Sequence, residues 1–351
     1  MSAPTKVPEA PPRIGRGRIV AFAVVAVLAV AGGGTYVLRD ARQSAEQRTA
    51  AAASEAARPR LTTAAVLAVP HLVVRNTALG PSFGKIALVP ASDPGGPRAT
   101  AGLACERVYA VRAGGLCLGA DRGVVTTYSG QLFDSRLGPT RPVTIVGGPS
   151  RARLSADGTL ATSTVFVAGH SYLDAGFSTV TEIVDTATGR GMGNLESWRT
   201  VKDGRTYRSA DVNFWGVTFA SGTTFYATVG TRGKTYLVRG DVPSRTMTVI
   251  RENAECPSVS PDGTKVAYKK APGSTTARRW RFTVLDLATG TETALPETRS
   301  IDDQLAWLDD SHVMYGVPRD GGHSDVWVSP LSGGTPRLLV PDADSPAMVT
   351  P

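Results

Sequence analysis

After residue 100 the chain repeats a pattern of two short apolar runs separated by a tight polar turn. The runs are rich in Val, Ile, Thr, Tyr and Phe and are punctuated by Gly, Pro, Asp and Ser, which is typical of strands rather than helices. The five copies have turns 41 to 64 residues apart and occupy residues 109–120, 152–166, 217–229, 257–270 and 305–317. The pattern therefore predicts five β-hairpins that form an internal repeat.

Further pairs of strand-like runs follow four of these hairpins, at residues 180–195, 235–250, 282–295 and 326–340. Two successive hairpins make a four-stranded blade of the kind that repeats in β-propellers. Residues 71–103 match strands two to four of a further blade that lacks a first strand, and residues 345–351 follow the sixth blade. We therefore predict an all-β, six-bladed β-propeller over residues 65–351, closed by the C-terminal strand, which protects the sheet edges.

One copy of the repeat carries a family resemblance. Residues 257–268 read PSVSPDGTKVAY, and residues 154–160 are a weaker copy, LSADGTL. This motif resembles the WD-like repeat of TolB-type propellers and implies their fold over residues 65–351. TolB itself has an α/β domain ahead of its propeller and works with an outer-membrane lipoprotein, whereas an apolar segment stands here, so that role is not carried over. The Asp and Gly of the motif are expected to shape the turn.

The segment 19–38 contains twenty residues and no charge, which is long enough to cross about 30 Å of hydrocarbon as a helix. Basic residues flank it on both sides, so charge asymmetry sets its orientation only weakly. We expect a single-pass transmembrane signal anchor, with residues 1–18 as a cytoplasmic tail, 39–64 as an Ala-rich stalk and the propeller on the extracytoplasmic side of the cell membrane. The alternative is a cleaved signal peptide, because Ala29, Val30 and Ala31 followed by Gly32 resemble a cleavage site.

Charge and cysteine content refine this interpretation. The net charge is +8, but residues 1–60 hold nine Lys and Arg against four Asp and Glu, so the propeller itself is nearly neutral. Such a balance gives no support for nucleic-acid binding. Cys105 and Cys117 lie on or beside the strands of one hairpin, which predicts a local disulfide outside the cell, and Cys256 is left as a buried thiol.

Catalytic and metal-binding motifs are weak. Ser82 stands in a G-x-S-x-G string, but the nucleophile elbow of hydrolases needs a strand before it and a helix after it, whereas strands flank Ser82 on both sides. The histidines show no metal-ligand spacing; they are His71, His170, His312 and His323. We therefore expect no metal, no cofactor and no catalytic residue.

Loop lengths indicate a working face. In an up-and-down blade, the turns between strands two and three share one face with the connections between blades, and the long segments 169–177, 196–211, 270–281 and 319–324 fall there. Aromatic and Arg residues are frequent anchors of protein interfaces. The candidate partner-binding residues on these loops are Trp198, Arg199, Tyr207, Arg208, Arg279 and Trp280. The alternative is that they are ordinary solvated loops.

The function that these observations favour is a non-catalytic, membrane-anchored binding or scaffolding module for a protein or cell-envelope ligand. The alternative is an extracellular propeller enzyme, a lyase or hydrolase of polysaccharide or peptide, with its site in the central channel. Inward-facing His, Lys, Asp or Glu would favour the enzyme. The inner strands read as mostly apolar and small residues, which favours binding.

Overall fold

The structure is a computed structural model that describes residues 59–167, 178–271 and 279–351, together with scattered helical positions between 36 and 57. The chain divides into two compact units, Met1–Ala57 and Arg58–Pro351. Of the segment 19–38, only Tyr36 is among the described residues, so the expected transmembrane helix lies outside them. Within the described part of the chain, no helix combines the length and the apolar character needed to span a membrane.

The second unit begins with a short helix, α1 (Thr63–Leu67), and continues as six β-sheets arranged as the blades of a propeller. The strands of each blade are given from the centre outward. Blade 1 contains β26 (Ala343–Val349), β1 (His71–Asn76), β2 (Lys85–Pro90) and β3 (Ala99–Ala104). Blade 2 contains β4 (Arg107–Val111), β5 (Gly114–Arg122), β6 (Thr126–Asp134) and β7 (Pro139–Val143). Blade 3 contains β8 (Gly148–Leu154), β9 (Leu160–Val167), β10 (Ser178–Asp185) and β11 (Gly191–Asn194).

The other three blades follow the same order, and blade 4 has two additional strands at its outer edge. Blade 4 contains β14 (Asn213–Ser221), β15 (Thr224–Thr231), β16 (Lys234–Asp241), β17 (Thr246–Glu252), β12 (Arg199–Lys202) and β13 (Arg205–Tyr207). Blade 5 contains β18 (Glu255–Val259), β19 (Lys265–Lys270), β20 (Arg281–Asp286) and β21 (Glu292–Ala294). Blade 6 contains β22 (Ala306–Asp309), β23 (His312–Pro318), β24 (Ser324–Pro330) and β25 (Arg337–Val340). Short 3₁₀ turns occupy Leu195–Ser197 and Asp320–Gly322.

The C-terminal strand closes the ring, as predicted. β26 pairs antiparallel with β1, so that His71 lies opposite Val349. Within this pair Arg75 also faces Asp344, and its guanidinium Nη1 lies 3.0 Å from the Asp344 carboxylate. The innermost strand of blade 1 therefore comes from the end of the chain, and the six-bladed, all-β prediction is confirmed.

The core is divided among the blades. One apolar cluster fills each of the six spaces between neighbouring blades. Between blades 6 and 1, for example, Leu72 of β1 and Met314 of β23 are both fully buried. Between blades 1 and 2, Val66 of α1 joins the cluster, which ties the start of this unit to the propeller. Alternate residues of each strand thus pack against the next sheet.

The tight turns confirm the structural role expected for the repeat motif. Asp262 accepts hydrogen bonds from the backbone N–H of Thr264 and from the hydroxyl of Ser260, and Gly263 has a φ of 70°. Asp157 accepts the equivalent bond from the Thr159 N–H. Asp therefore satisfies the turn's backbone, while Gly supplies the left-handed conformation that other residues adopt only with strain.

The segment 196–211 differs from the expected long loop. After the 3₁₀ turn, β12 pairs in parallel with β17, placing Arg199 opposite Thr246, and β13 pairs antiparallel with β12. The reason is burial: Trp198 is only 5% exposed, and its ring packs edge-on against Phe225 with centroids 5.9 Å apart. The segment 196–211 joins the sheet because Trp198 covers the apolar edge of blade 4.

Candidate binding site

The antiparallel strand order gives the propeller two faces. We call the upper face the one formed by the turns between the second and third strands of each blade and by the connections from blade to blade. The lower face carries the turns between strands one and two and between strands three and four. The candidate site lies where the central channel reaches the upper face.

The central channel itself is filled by side chains. Arg153 of β8 donates a hydrogen bond of 2.6 Å to the carbonyl of Leu305 in blade 6. Gln304 donates a bond of 2.9 Å to the carbonyl of Pro257 in blade 5. A space between these inner strands, lined by Arg153 and Gln304, measures about 20 Å³, which is room for about one water molecule. A larger ligand therefore does not fit in that space.

Charged residues line the channel, so the expectation of mostly apolar and small inner positions was incomplete. Asp303 accepts a bond of 2.8 Å from the backbone N–H of Gly316. Burial raises the pKa of Asp344, although the ion pair with Arg75 opposes that shift. Arg107 of blade 2 donates a bond of 2.9 Å to the Ser150 carbonyl of blade 3. These contacts show the charged groups holding neighbouring segments together.

Above this plug lies a recess of about 600 Å³, which we call the mouth cavity. It is assembled from the upper ends of blades 3 to 6, and this volume falls in the range of small-molecule sites, about 300–1,000 Å³. Its walls contain aromatic rings, two cations, two carboxylates and a thiol. The lining residues are Ser150, Arg151, Phe166, Thr179, Trp215, Glu255, Cys256, Lys269, Trp280, Ser300 and Asp302.

The two cations of the mouth cavity differ in their pairing. Lys269 is 2% exposed, forms an ion pair with Asp302 and lies 4.7 Å from the centre of the Trp280 ring. Arg151, by contrast, donates from Nη1 to the Ser150 carbonyl, while its Nε is buried without a partner. Among the described residues, no carboxylate oxygen lies within 4.0 Å of the Arg151 guanidinium. Arg151 therefore brings a positive charge without a close counter-ion.

Exposed apolar side chains gather on the upper face. Ten large apolar residues of the propeller unit are exposed among those described, and only Val69, Ile250 and Leu338 lie elsewhere. The upper-face members, in turns, blade connections and strand ends, are Leu79, Phe83, Val124, Val125, Tyr128, Val146 and Phe166. Such residues are usually scattered singly over protein surfaces, whereas seven of the ten described here lie on one face.

The most prominent of them stand on a two-stranded ribbon. The ends of β5 and β6 extend past β4 and β7, because residues 119–122 pair only with residues 126–129. Val124 at the tip is fully exposed and Val125 is 74% exposed. At the base of the ribbon, the Tyr128 ring lies 3.9 Å from the position a Cβ would take on Gly148, whose strand partner is Phe166. The apolar surface thus continues from the ribbon to the cavity.

The six partner-binding candidates predicted from the sequence do not all lie on the same face of the propeller. Trp280 is 8% exposed and lines the mouth cavity. The Tyr207 hydroxyl contacts the Thr231 hydroxyl in an upper turn. The backbone N–H of Arg199 bonds to the Arg245 carbonyl in a lower turn, so Trp198 and Arg199 do not share the upper face with Trp280. This differs from the expected common face because β12 pairs along β17. Arg208 and Arg279 are exposed.

The cysteines, Ser82 and the histidines were the other residues that the sequence singled out. Cys105 and Cys117 form a disulfide, with Cα atoms 5.4 Å apart, and Cys256 is a buried free thiol. Ser82 lies in the turn between β1 and β2, with a strand on each side as expected. His170 lies outside the described residues. Within those residues, no group of three or more His, Cys, Asp or Glu is arranged to hold a metal ion.

The sequence interpretation missed Arg151 and the apolar ribbon. A signal for the first was present, because Arg151 and Arg153 are two residues apart on an inner strand and so belong to the same side of the sheet. For the ribbon, the signal was the apolar pair Val124–Val125 directly after Gly123, just beyond the hairpin predicted at residues 109–120.

Comparison with known proteins shows the fold. No protein-family profile and no curated protein sequence match this chain. Among solved structures, it is similar to TolB from Acinetobacter baumannii, with a TM-score of 0.52 and 14% identity over 80% of this chain and 66% of TolB. It is also similar to a chain of a nidogen/laminin complex, with a TM-score of 0.52 and 13% identity over 80% of this chain and 97% of that one. At such identities the likeness shows a common propeller fold and nothing more.

Proposed function

We propose that this chain is a non-catalytic binding or scaffolding module whose propeller captures a partner protein or cell-envelope ligand through its upper face. The observation that carries the proposal is the concentration of exposed apolar side chains on that face, of which Phe166 also lines the mouth cavity. The fold is compatible with such a role, because a similar chain belongs to a complex between nidogen and laminin. Arg208, Arg279, Tyr207 and Trp280 are proposed to contribute to the same recognition.

The matched test uses two exposed apolar residues on different parts of the surface. Phe166 is 47% exposed beside the mouth cavity, and Leu338 is 45% exposed on the outer strand of blade 6. Phe166→Asp should weaken capture of a partner from native membranes, by more than about 1 kcal/mol if Phe166 is an anchor. Leu338→Asp should leave capture unchanged. Equal capture by both variants would refute an upper-face site.

We further propose that residues 19–38 anchor the protein in the cell membrane with the propeller on the extracytoplasmic side. The support is the twenty-residue uncharged segment, with residues 1–18 ahead of it and the linker 39–64 behind. In an oxidising compartment Cys105 and Cys117 should be joined. Thiol labelling of protein from native membranes should then modify Cys256 after unfolding, but Cys105 and Cys117 only after reduction. Labelling of all three before reduction would contradict the extracytoplasmic assignment.

A second candidate, a propeller enzyme acting on polysaccharide or peptide, is favoured by the charged residues of the channel and the mouth cavity. Lys269 and Asp302 are the pair with access to the cavity. If the protein is an enzyme, cleavage of a polysaccharide or peptide should disappear in Lys269→Met and persist in Lys265→Met on the lower face. Absence of any turnover by the wild-type protein across such substrates would leave binding as the function.

A further inference from the structure

We propose that the mouth cavity recognises a carboxylate group, which Arg151 holds through its guanidinium while the aromatic walls contact the apolar body of the same ligand. This inference rests on the proposed binding function and specifies its chemistry. The carboxylate can belong to a small organic acid or to the C-terminal end of a polypeptide.

Arg151 carries a positive charge without a close carboxylate partner in the part of the chain that the structure describes. Its Nε is buried without a hydrogen-bond partner, and within the described residues no carboxylate oxygen lies within 4.0 Å of its nitrogens. Arg75 and Lys269 have such partners, since Arg75 pairs with Asp344 and Lys269 pairs with Asp302. The buried Arg153 instead donates to the Leu305 carbonyl and lies over the Tyr109 ring. Arg151 is half-buried, and a charge partly removed from water is stabilised by pairing, so an anion in the cavity would supply the close partner that Arg151 lacks.

The shape and composition of the cavity also suit a carboxylate on an apolar body. Arg presents a planar fork of N–H donors that matches the two oxygens of a carboxylate. Trp215, at 7% exposure, and Trp280, at 8%, form recessed aromatic parts of the same cavity lining as Arg151. Phe166 continues the apolar surface outward to the rim. One polar anchor inside an aromatic recess selects a ligand with a charged end and an apolar body.

The carboxylates of the lining do not neutralise Arg151 directly. Burial disfavours the charged form of Arg151, whereas Cys256, Asp303 and Asp302 favour it and raise its pKa. Asp302 nevertheless forms its close ion pair with Lys269, and Glu255 has an interaction of its own. The preference for an anion therefore comes from Arg151, and substitution of this one residue should remove it.

The test compares acids with their neutral amides on the full-length protein in lipid nanodiscs, with affinities measured by isothermal titration calorimetry. The small-molecule pair is indole-3-acetate and indole-3-acetamide. The peptide pair is N-acetyl-Gly-Ser-Gly-Ser-Phe with a free or an amidated C-terminus. The acid should bind about tenfold or more tightly than its amide in at least one pair, because a charge-assisted bidentate contact is lost in the amide. Preference in only the first pair identifies a small acid, and preference in the second identifies a chain end.

Arg151→Gln should abolish the acid preference, whereas Arg112→Gln, on an exposed lower-face residue, should retain it. Equal affinity of acid and amide in both pairs, or no binding of either, would overturn the proposal, and the wild-type comparison alone is enough to show this if Arg151→Gln does not fold. Acid preference that persists in a folded Arg151→Gln protein would also overturn it. An unchanged capture by Phe166→Asp would instead count against the partner surface, so the two proposals fail separately.

Discussion

On the lower face, Asp157, Asp262 and Asp309 each close the turn between the first two strands of a blade by accepting a backbone N–H from two residues further along. Asp185, Asp241 and Asp286 do the same three residues along in turns between strands three and four. On the upper face, the mouth cavity instead combines side chains from four blades, separated by up to 152 residues in sequence, and the longest ribbon ends in exposed valines.

This difference between the two faces distinguishes a structural lower face from an upper face that is available for binding. Local Asp, Ser and Thr contacts satisfy each lower turn within a few residues, which leaves little for a partner to bind. The upper face keeps an Arg without a close counter-ion and an apolar surface, both of which a partner could cover. Function in propellers is often carried by segments that a rigid sheet framework positions.

The largest expected effect comes from opening the propeller ring, on which both faces depend. Deleting residues 345–351 removes most of β26, and with it the pairing to β1. Blade 1 then exposes an unpaired inner edge, so the free energy of unfolding should fall by more than about 4 kcal/mol, or the protein should fail to fold. Urea unfolding measures this change. Deleting only Thr350 and Pro351, which lie beyond β26, should change it by less than about 0.5 kcal/mol.

A smaller effect tests whether Trp198 belongs to the scaffold. Because its ring is buried against Phe225, Trp198→Ala should leave a cavity and lower the free energy of unfolding by about 3 kcal/mol. The neighbouring Arg199→Ala, at an exposed position, should change stability by less than about 0.5 kcal/mol. A Trp198→Ala protein that keeps wild-type stability but loses partner capture would move the site to the edge of blade 4.

The smallest effect concerns the lower turns alone. Hydrogen bonds from the Ser260 hydroxyl and the Thr264 N–H lower the pKa of Asp262, and equivalent bonds from Ser155 and Thr159 lower that of Asp157. A lowered pKa means that the carboxylate stabilises the fold above its ordinary pKa of about 3.9, and that this contribution is lost as the pH falls through the folded-state value. Thermal melts should therefore show stability decreasing below about pH 4.

The matching variant is Asp262→Asn, which should cost about 1 kcal/mol or less at pH 7, since this exposed side chain is screened by solvent. It should also reduce the acid dependence, while partner capture stays unchanged. If Asp262→Asn weakens capture as strongly as Phe166→Asp, the division into a structural lower face and a binding upper face is wrong.

Sequence predicted the lower face well because its chemistry is local. Ser, Asp and Gly within four residues fix a turn such as that of Asp262 wherever the blade lies. The closure of the ring could also be predicted, because blade 1 lacked a first strand and the C-terminal residues were left to supply it. The segment with β12 and β13 was missed because Trp198 is its one large buried side chain, too little to produce an alternating pattern. The mouth cavity could not be assembled from the sequence, since Arg151 and Trp280 lie on different blades and line the same cavity only in the folded propeller.

The central claim is that partners contact the upper face, and site-specific photo-crosslinking tests it most directly. A benzoylphenylalanine is placed at Phe166 or, in a matched protein, at Leu338, which has nearly the same exposure. After irradiation of intact cells, crosslinked partners are identified by mass spectrometry. The account predicts a specific partner crosslinked from position 166 and none from position 338. Crosslinks of equal yield from both positions, or from position 338 alone, would contradict it.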